Sequence, residues 1–123
     1  MTATVHRLDE ATDADALDAV FFALSDPVRR AILERLDGRS LLVSEIAEPF
    51  EISLQAVSRH IQVLVRAGLI IQARSGRISR CSLDAEPLAE AALWLNRYAK
   101  YWQAQFETLA LHLTRIEQER KTP

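Results

Sequence analysis

The sequence predicts a mainly helical domain that carries one small β-hairpin. Three observations indicate this fold class: apolar residues recur at helical spacing along much of the chain, several stretches begin and end at residues typical of helix caps, and two partly β-branched stretches flank Ser75-Gly76. A length of 123 residues, of which 49% are hydrophobic, suits one domain with a modest core. We therefore predict a single domain over residues 13–120, preceded by a disordered tail over residues 1–12.

Residues that favour helix ends delimit three helices in the first half of the chain. Apolar side chains at helical spacing predict a helix from about Asp13 to Ser25. Asp26-Pro27 then supplies a side-chain acceptor at the N-cap and a fixed φ at the first helical position, so a second helix should run to Leu36. Ser44 can cap a short third helix, which Pro49 should shorten because proline lacks a backbone donor.

The stretch SLQAVSRHIQVLVRAG predicts a fourth helix over residues 53–67, with Ser53 as its N-cap and Gly68 at its end. Its apolar residues share one helical face and should point to the core: Leu54, Val57, Ile61, Leu64 and Val65. The opposite face offers amide, hydroxyl and guanidinium groups and no carboxylate: Gln55, Ser58, Arg59, Gln62 and Arg66. Such groups suit the base edges and phosphates of nucleic acid.

Ser58 and His60 raise the alternative of a catalytic site on this helix. Residues two apart on a helix point roughly 200° apart, so these side chains cannot act as a nucleophile and its base. The sequence also lacks the glycine-rich elbow and the nearby acid of a hydrolytic site. We therefore predict that the protein is not an enzyme and has no catalytic residue. His60 has Ala56 and Leu64 as neighbours on its face, which favours a half-buried structural imidazole over a base contact.

Charge is distributed unevenly along the chain. Residues 52–83 contain five arginines and no Asp or Glu, so this segment carries +5 and the remainder carries −7, within a net charge of −2. A basic segment in an acidic protein indicates a local surface for a polyanion, because phosphate neutralisation depends on the local field. The alternative is a solvated helix face, which usually brings interspersed Glu and Lys, and neither residue occurs here.

A hairpin and a long helix are predicted in the second half of the chain. The stretches LIIQARS and RISRCSL predict two strands over residues 69–83. Residues 86–119 contain no glycine and have Pro87 only at their start, so one long helix should follow. Its apolar residues alternate steps of four and three, as in a heptad seam: Leu88, Ala92, Leu95, Ala99, Trp102, Phe106, Leu109, Leu113 and Ile116. Such a helix favours a partner helix as cover, with burial inside its own monomer as the alternative.

The predicted order of elements is that of a winged helix-turn-helix, since a short helix, a turn, a second helix and a basic hairpin follow one another. DPVRRAILERL, VSEIAEPFEISLQAVSRHIQVLVRAGLI and RSGRISRCSLD resemble the ArsR/SmtB family of bacterial transcriptional repressors, over about residues 15–120. The most specific part is V-S-R-H-I-x-V-L-x-x-A-G-L-I. The tail WLNRYAKYWQAQFETLALHL resembles the branch of this family whose members lack an evident metal-binding site.

The resemblance implies a homodimeric repressor that reads double-stranded DNA with residues 53–67 as its recognition helix. The family's base contacts carry over to Gln55, Ser58 and Arg59, with Gln62 as a further candidate. Contacts to the DNA backbone or minor groove carry over to Arg74 and Arg77 of the wing, and Arg80 could join them if it occupies the right face of the hairpin.

The resemblance also implies that the first and last helices form the dimer interface. We expect it at apolar residues of these helices: Leu17, Phe21, Leu95, Trp102, Phe106, Leu109 and Leu113. Two-fold symmetry would present two recognition helices to successive major grooves roughly 34 Å apart, so the expected operator is an inverted repeat.

The inducing signal stays open at the level of the sequence. Metal-sensing relatives carry paired cysteines near the third helix, or Asp, His and Glu along the final helices, and here His112 has no well-spaced second histidine. We therefore predict no metal site and no cofactor, with a metal-responsive repressor of the same family as the alternative. Cys81 should be a small buried hydrophobe, with redox sensing as the alternative that adjacent Arg80 suggests.

Two further expectations concern the location of the protein and a different class of function. The sequence shows no membrane span and no secretory signal, so we expect a cytoplasmic protein. A helical interaction module that kept the fold and lost DNA binding is an alternative, because Trp94, Tyr98 and Tyr101 form a second stripe on the last predicted helix.

Overall fold

The structure is a computed structural model that describes residues 2–121, with the side chains of residues 13–121. In this part of the chain, six α-helices, three strands and one 3₁₀ helix follow in the order α1 Thr2–Leu24, α2 Pro27–Arg35, β1 Leu41–Leu42, α3 Val43–Ala47, α4 Leu54–Arg66, β2 Ile70–Ser75, β3 Ile78–Leu83, α5 Glu86–Leu95, the 3₁₀ helix Asn96–Tyr101 and α6 Gln103–Lys121. The chain forms two compact units, Met1–Ala91 and Ala92–Pro123. No helix in the described range is long and apolar enough to cross a membrane.

The first two helices meet at the Asp26-Pro27 step. α1 begins at Thr2, whereas the sequence predicts its start near Asp13. The disordered tail predicted for residues 1–12 falls on residues whose side chains lie outside the described part of the chain. Asp26 is the N-cap of α2, as predicted, because its Oδ2 accepts from the backbone N–H of Val28 (2.9 Å) and of Arg29 (3.1 Å).

A short strand that the sequence does not predict precedes α3. Leu41 and Leu42 form β1, which pairs antiparallel with β3 at Cys81 and Arg80. The prediction that Ser44 caps α3 is wrong, because the helix begins at Val43 with Leu42 in the N-cap position. Glu45 in the first turn accepts a hydrogen bond from the backbone N–H of Leu42 (2.8 Å), which satisfies a donor that the helix leaves free.

The helix predicted over residues 53–67 is confirmed as α4. Its N-cap is Ser53, whose Oγ accepts from the backbone N–H of Ala56 (3.1 Å). The predicted core position at Leu54 is wrong, since 54% of this residue is exposed. Helical side chains lean toward the N-terminus, so Leu54 in the first turn projects past the core that the later turns cover.

The core of the first unit is built from α1 to α5 and the sheet. Its buried apolar residues are Val20, Ala23, Ile32, Leu33, Leu36, Ile46, Val57, Ile61, Leu64, Leu69, Ile70, Cys81 and Ala91. Three of the five predicted core residues of α4 are among them, and Val65 packs against the cluster while partly exposed. Burying each side chain of this size contributes roughly 1.5 to 3 kcal/mol relative to exposure, which anchors α4 by one face.

The predicted hairpin is confirmed, and its turn has two residues. β2 and β3 pair from Ile70 with Leu83 to Ser75 with Ile78, in a sheet of order β1-β3-β2. Gly76 has a φ of +65° at the first turn position, and no non-glycine residue in the described range has a positive φ. This pattern is that of a type II′ turn, which suits the right-handed twist of the two strands.

The prediction of one long helix over residues 86–119 is wrong. The 3₁₀ helix Asn96–Tyr101 separates α5 from α6, and Trp102 after it has non-helical angles of φ −132° and ψ −4°. This stretch holds asparagine and aromatic residues, which have lower helix propensity than the leucines and alanines on either side. Because a 3₁₀ helix has about 3.0 residues per turn, the break also shifts the heptad seam out of register between the two α-helices.

Candidate nucleic-acid interface

α4 presents a polar stripe on the side opposite its buried residues. Gln55, Arg59, Gln62 and Arg66 are all exposed, and their spacing of four, three and four places them along one face of the helix. Ser58 lies beside this stripe and is half-buried. The stripe therefore offers hydrogen-bond donors and amide groups at fixed positions on a helix that its opposite face anchors.

Gln62 joins the stripe to the hairpin. Its side-chain amide donates to Oε1 of Gln72 on β2, with a distance of 3.3 Å. Gln72 is a member of the candidate surface that the sequence analysis missed. The sequence places Gln72 in the segment without Asp or Glu, residues 52–83. Its contact with α4, however, depends on the hairpin register and on the packing of α4 against β2. The bond makes Gln62 a link between the two elements, although its amide oxygen keeps acceptor capacity.

The predicted wing arginines occupy two different places on the hairpin. Arg74 is exposed on β2, opposite Ser79 of β3. Arg77 is exposed in the turn, and it lines a cavity of about 280 Å³ with residues of the β1–α3 junction and β3: Leu42, Val43, Ser44, Ile78 and Ser79. The hairpin therefore carries one guanidinium on a strand and one at its tip.

Arg80 stands on the opposite face of the sheet from Arg74. In an antiparallel pair, directly opposed residues share a face, and Arg80 pairs with Ala73 while Arg74 pairs with Ser79. Its Nη1 lies 3.4 Å from both the carbonyl oxygen and the Oγ of Ser40. Arg80 therefore bonds to the segment before β1 and does not share the face of the hairpin that carries Arg74.

His60 is half-buried, as predicted, and contacts α2 and its N-cap. Its Nδ1 lies 3.2 Å from Nη1 of Arg29 and 3.8 Å from Oδ2 of Asp26. Partial burial pushes the pKa of Asp26 upward, but hydrogen bonds from the backbone of Arg29 and Val28 and the nearby positive charge of Arg29 outweigh it and lower that pKa. Asp26 is therefore an ionised partner at the edge of this cluster at neutral pH.

The described residues contain no group of three or more His, Cys, Asp or Glu side chains that could hold a metal ion. Cys81 is fully buried on β3, and this burial raises the pKa of its thiol. The adjacent Arg80 points to the other face of the sheet, so it does not favour the thiolate. A buried thiol of this kind behaves as a small hydrophobe and lacks the thiolate character that redox sensors use.

The fold and this surface define a winged helix-turn-helix DNA-binding transcriptional regulator, and a family described as a helix-turn-helix domain matches residues 24–73. The chain is 37% identical over 82 residues to the transcriptional repressor SdpR of Bacillus subtilis (strain 168), a match that covers 67% of this chain and 91% of SdpR. The solved structure of the ArsR family transcriptional regulator RHA00566 is also similar, with a TM-score of 0.68, 36% identity, and coverage of 73% of this chain and 93% of that one. The chain therefore belongs to the ArsR family of transcriptional regulators.

The fold is shared with a more distant solved structure. This is a homodimeric winged helix-turn-helix DNA-binding domain from Mycobacterium bovis, with a TM-score of 0.59 and 23% identity, and the match covers 76% of this chain and 89% of that one. The related proteins are transcriptional regulators.

Proposed function

We propose that the protein is a homodimeric repressor that binds an inverted-repeat operator through α4 and the β2–β3 wing. The observation that carries this proposal is the surface of these two elements, which exposes guanidinium and amide groups within a segment, residues 52–83, that holds no Asp or Glu. Such a surface attracts a polyanion locally, although the whole chain has a net charge of −2. A repressor acts where the chromosome is, so we expect the protein in the cytoplasm.

We assign α4 as the recognition helix. Gln55 and Arg59 are exposed in its first half, where helix-turn-helix proteins contact base edges, and Ser58 lies between them. Arginine suits the O6 and N7 of guanine, glutamine suits the N6 and N7 of adenine, and a hydroxyl can hold either a base or a phosphate. Gln62 is farther along the same face, and we assign it a secondary contact because its amide already bonds to Gln72.

The wing arginines are assigned to the DNA backbone. Arg77 at the turn and Arg74 on β2 are exposed, and their guanidinium groups are free to reach a phosphate. Phosphate contacts position a protein on the duplex and carry no sequence information. We therefore expect these two residues to supply affinity for all DNA sequences, while Arg59 and Gln55 supply preference among them.

The proposal of a homodimer rests on apolar surface that each unit leaves exposed. In the second unit, none of the residues from Ala92 to Lys121 is buried, and α6 aligns Phe106, Leu109 and Leu113 on one face. Trp102 packs edge-on against Phe106, with ring centroids 6.5 Å apart. Exposed apolar patches of this extent are typical of interaction sites, and a second copy of the chain supplies an identical patch for a two-fold interface.

In the first unit, the expected interface residues of α1 have mixed roles. Leu17 and Phe21 are partly buried and pack against the core, while Phe22 next to them is 62% exposed. Phe22 is an interface candidate that the sequence analysis missed, because helical spacing does not place position 22 on the face that Leu17 and Phe21 share. We propose that the exposed edges of these residues contribute to the dimer.

Two alternatives have less support. A redox-responsive repressor would need an accessible thiolate, and the buried, protonated Cys81 lacks both properties. A helical interaction module without DNA binding is favoured by Tyr101, which is exposed, and by Tyr98, which packs against Trp94 with ring centroids 5.5 Å apart. The acid-free surface has no role in such a module.

A salt titration of DNA binding tests the proposal. We expect the logarithm of affinity for the DNA upstream of the protein's own gene to fall linearly with the logarithm of salt concentration, by about 0.9 for each phosphate neutralised. Arg115→Ala on α6 is the matched control, because it removes an arginine that lies outside the proposed surface and should leave this slope unchanged. A flat response, or a dimer that never binds the duplex, would favour the interaction module.

A further inference from the structure

Arg29 connects α2 to the end of α1. It is a charged residue that lies buried, at 8% exposure. Its Nε donates to the carbonyl oxygen of Ala23 (2.8 Å) and its Nη2 to that of Phe22 (2.9 Å). Its guanidinium carbon lies 5.1 Å from the centre of the Phe22 ring. The last carbonyls of a helix lack helical partners and attract positive charge, so Arg29 satisfies and neutralises the C-terminus of α1.

The remaining nitrogen of the same guanidinium reaches α4. Nη1 of Arg29 lies 3.2 Å from Nδ1 of His60. A guanidinium only donates hydrogen bonds, so Nδ1 must be the unprotonated acceptor and the imidazole proton must sit on Nε2. The contact therefore exists only while His60 is neutral. His60 directly follows Arg59 of the exposed stripe and precedes Ile61 of the core, so it lies at the border between the DNA-facing and buried sides of α4.

A second partner stands ready for the protonated form of His60. Asp26 Oδ2 is 3.8 Å from Nδ1, and it already accepts two backbone hydrogen bonds as the N-cap of α2. Within residues 13–121, the charged groups that contact His60 are Asp26 and Arg29. The other elements that pack against α4 are α1, α3 and β2, and none of their charged side chains forms a hydrogen bond or ion pair with His60 in this range. Protonation thus replaces a bond to Arg29 with repulsion from it and attraction to Asp26.

We infer that Arg29 is a positioning residue for DNA recognition, which acts through His60 to hold α4 in register with the end of α1. This inference rests on the proposed role of α4 as the recognition helix. The three bonds of one guanidinium join α1, α2 and α4, so a displacement of the end of α1 is transmitted to the residues beside His60. Because the bond between Arg29 and His60 needs a neutral imidazole, we expect DNA affinity to be highest when His60 is neutral and to fall when it is protonated.

The test compares the pH dependence of DNA binding among variants of His60. We expect the wild-type affinity for the upstream DNA to be about fivefold or more lower at pH 5.5 than at pH 8, because a protonated imidazole cannot accept from Arg29. His60→Asn places an amide oxygen near the position of Nδ1 and does not titrate, so it should keep the high-pH affinity with a flat profile. His60→Leu removes the acceptor and should bind at least about fivefold more weakly at both pH values.

His112→Asn is the matched control. His112 is exposed on α6 and contacts Arg115, so the variant should keep the wild-type pH profile. Thermal unfolding of each variant separates a loss of fold from a loss of positioning, and the comparison of wild type with His60→Asn carries the test if His60→Leu does not fold. Nitrogen NMR of the imidazole should show Nε2 protonated and Nδ1 unprotonated at pH 8.

Two sets of outcomes overturn different claims. A pH profile of His60→Asn that matches the wild type, or an imidazole protonated on Nδ1 at pH 8, would overturn the positioning role of Arg29 while DNA binding itself stays intact. Arg59→Ala binding every duplex as the wild type does would instead overturn the assignment of α4 as the recognition helix, and with it the basis of this inference.

Discussion

Arg59 and Arg77 carry the same charge on different kinds of backbone, and this difference separates their proposed roles. Arg59 projects from a helix that Val57 and Ile61 anchor in the core, so the backbone from which its side chain starts is held at a defined position. Arg77 occupies a two-residue turn at the tip of the hairpin. Reading a base edge requires a fixed donor geometry, whereas a phosphate accepts a donor from many directions. The same residue type can therefore give specificity at one site and affinity at the other.

We predict that Arg59→Ala and Arg77→Ala differ in how they change DNA binding. Arg59→Ala should cost roughly 1 to 3 kcal/mol on the preferred sequence and relax the preference at one base position, because a bidentate base contact is lost. Arg77→Ala should weaken all sequences about equally and reduce the salt slope by about 1. Binding of both variants to a panel of single-base operator variants measures this, and equal losses on every sequence for both would contradict the assignment.

At the scale of elements, the first turn of α4 is the point where local chemistry supports function. Ser53 is the N-cap, and the exposed Gln55 and Arg59 follow within two turns. A serine oxygen that accepts from the helix N-terminus stabilises the helix by about 1 kcal/mol and limits fraying. Ser53 therefore helps to keep the proposed base-contacting side chains well ordered, although it makes no assigned contact with DNA.

We predict that Ser53→Ala lowers the free energy of unfolding by roughly 0.5 to 2 kcal/mol, because Ala56 loses its N–H acceptor. It should also weaken specific DNA binding more than non-specific binding, since a frayed first turn loosens Gln55. Chemical denaturation and binding titrations measure the two effects. Ser44→Ala is the matched control: Ser44 lies within α3 and caps nothing, so its loss should leave stability unchanged or slightly higher. Equal destabilisation by both substitutions would count against the cap.

The elements also show which features a sequence can predict. Asp26 and Ser53 predict the starts of α2 and α4 because each cap bonds within three residues of itself. β1 was missed because it has only two residues and its partner strand lies about 40 positions later, at Cys81 and Arg80. The break of the last helix was missed because a 3₁₀ stretch requires no glycine or proline to mark it.

The candidate surface also has some features that the sequence predicts and others that it does not. The outward stripe of α4 follows from helical periodicity alone, and the structure exposes Gln55, Arg59 and Gln62 as expected. The bond between Gln62 and Gln72 joins two elements, and the face of Arg80 depends on strand register, so neither follows from local pattern. Leu54 has the right helical phase for the core and is nevertheless exposed, because phase does not say where along the helix the core ends.

At the scale of the whole molecule, the proposed two-fold dimer would make operator binding depend on residues that make no assigned contact with DNA. Two tethered recognition helices bind two half-sites with the affinity gain of a bivalent ligand, since the second contact becomes intramolecular. A monomer keeps every DNA-contacting residue and loses this gain. The apolar face of α6 is therefore the place to separate assembly from chemistry at the DNA surface.

We predict that Leu109→Glu converts the dimer to monomers and weakens operator binding by about tenfold or more, because a carboxylate replaces apolar contact in the paired face. Leu111→Glu is the matched control: Leu111 is two residues along α6 and points roughly 200° away from Leu109, with 73% of its surface exposed against 52%. Sedimentation should show a dimer for the wild type and Leu111→Glu and a monomer for Leu109→Glu, with half-site affinity alike in all three. A monomeric wild type would contradict the proposed homodimer, and dissociation by both substitutions would contradict the assignment of the interface to this face of α6.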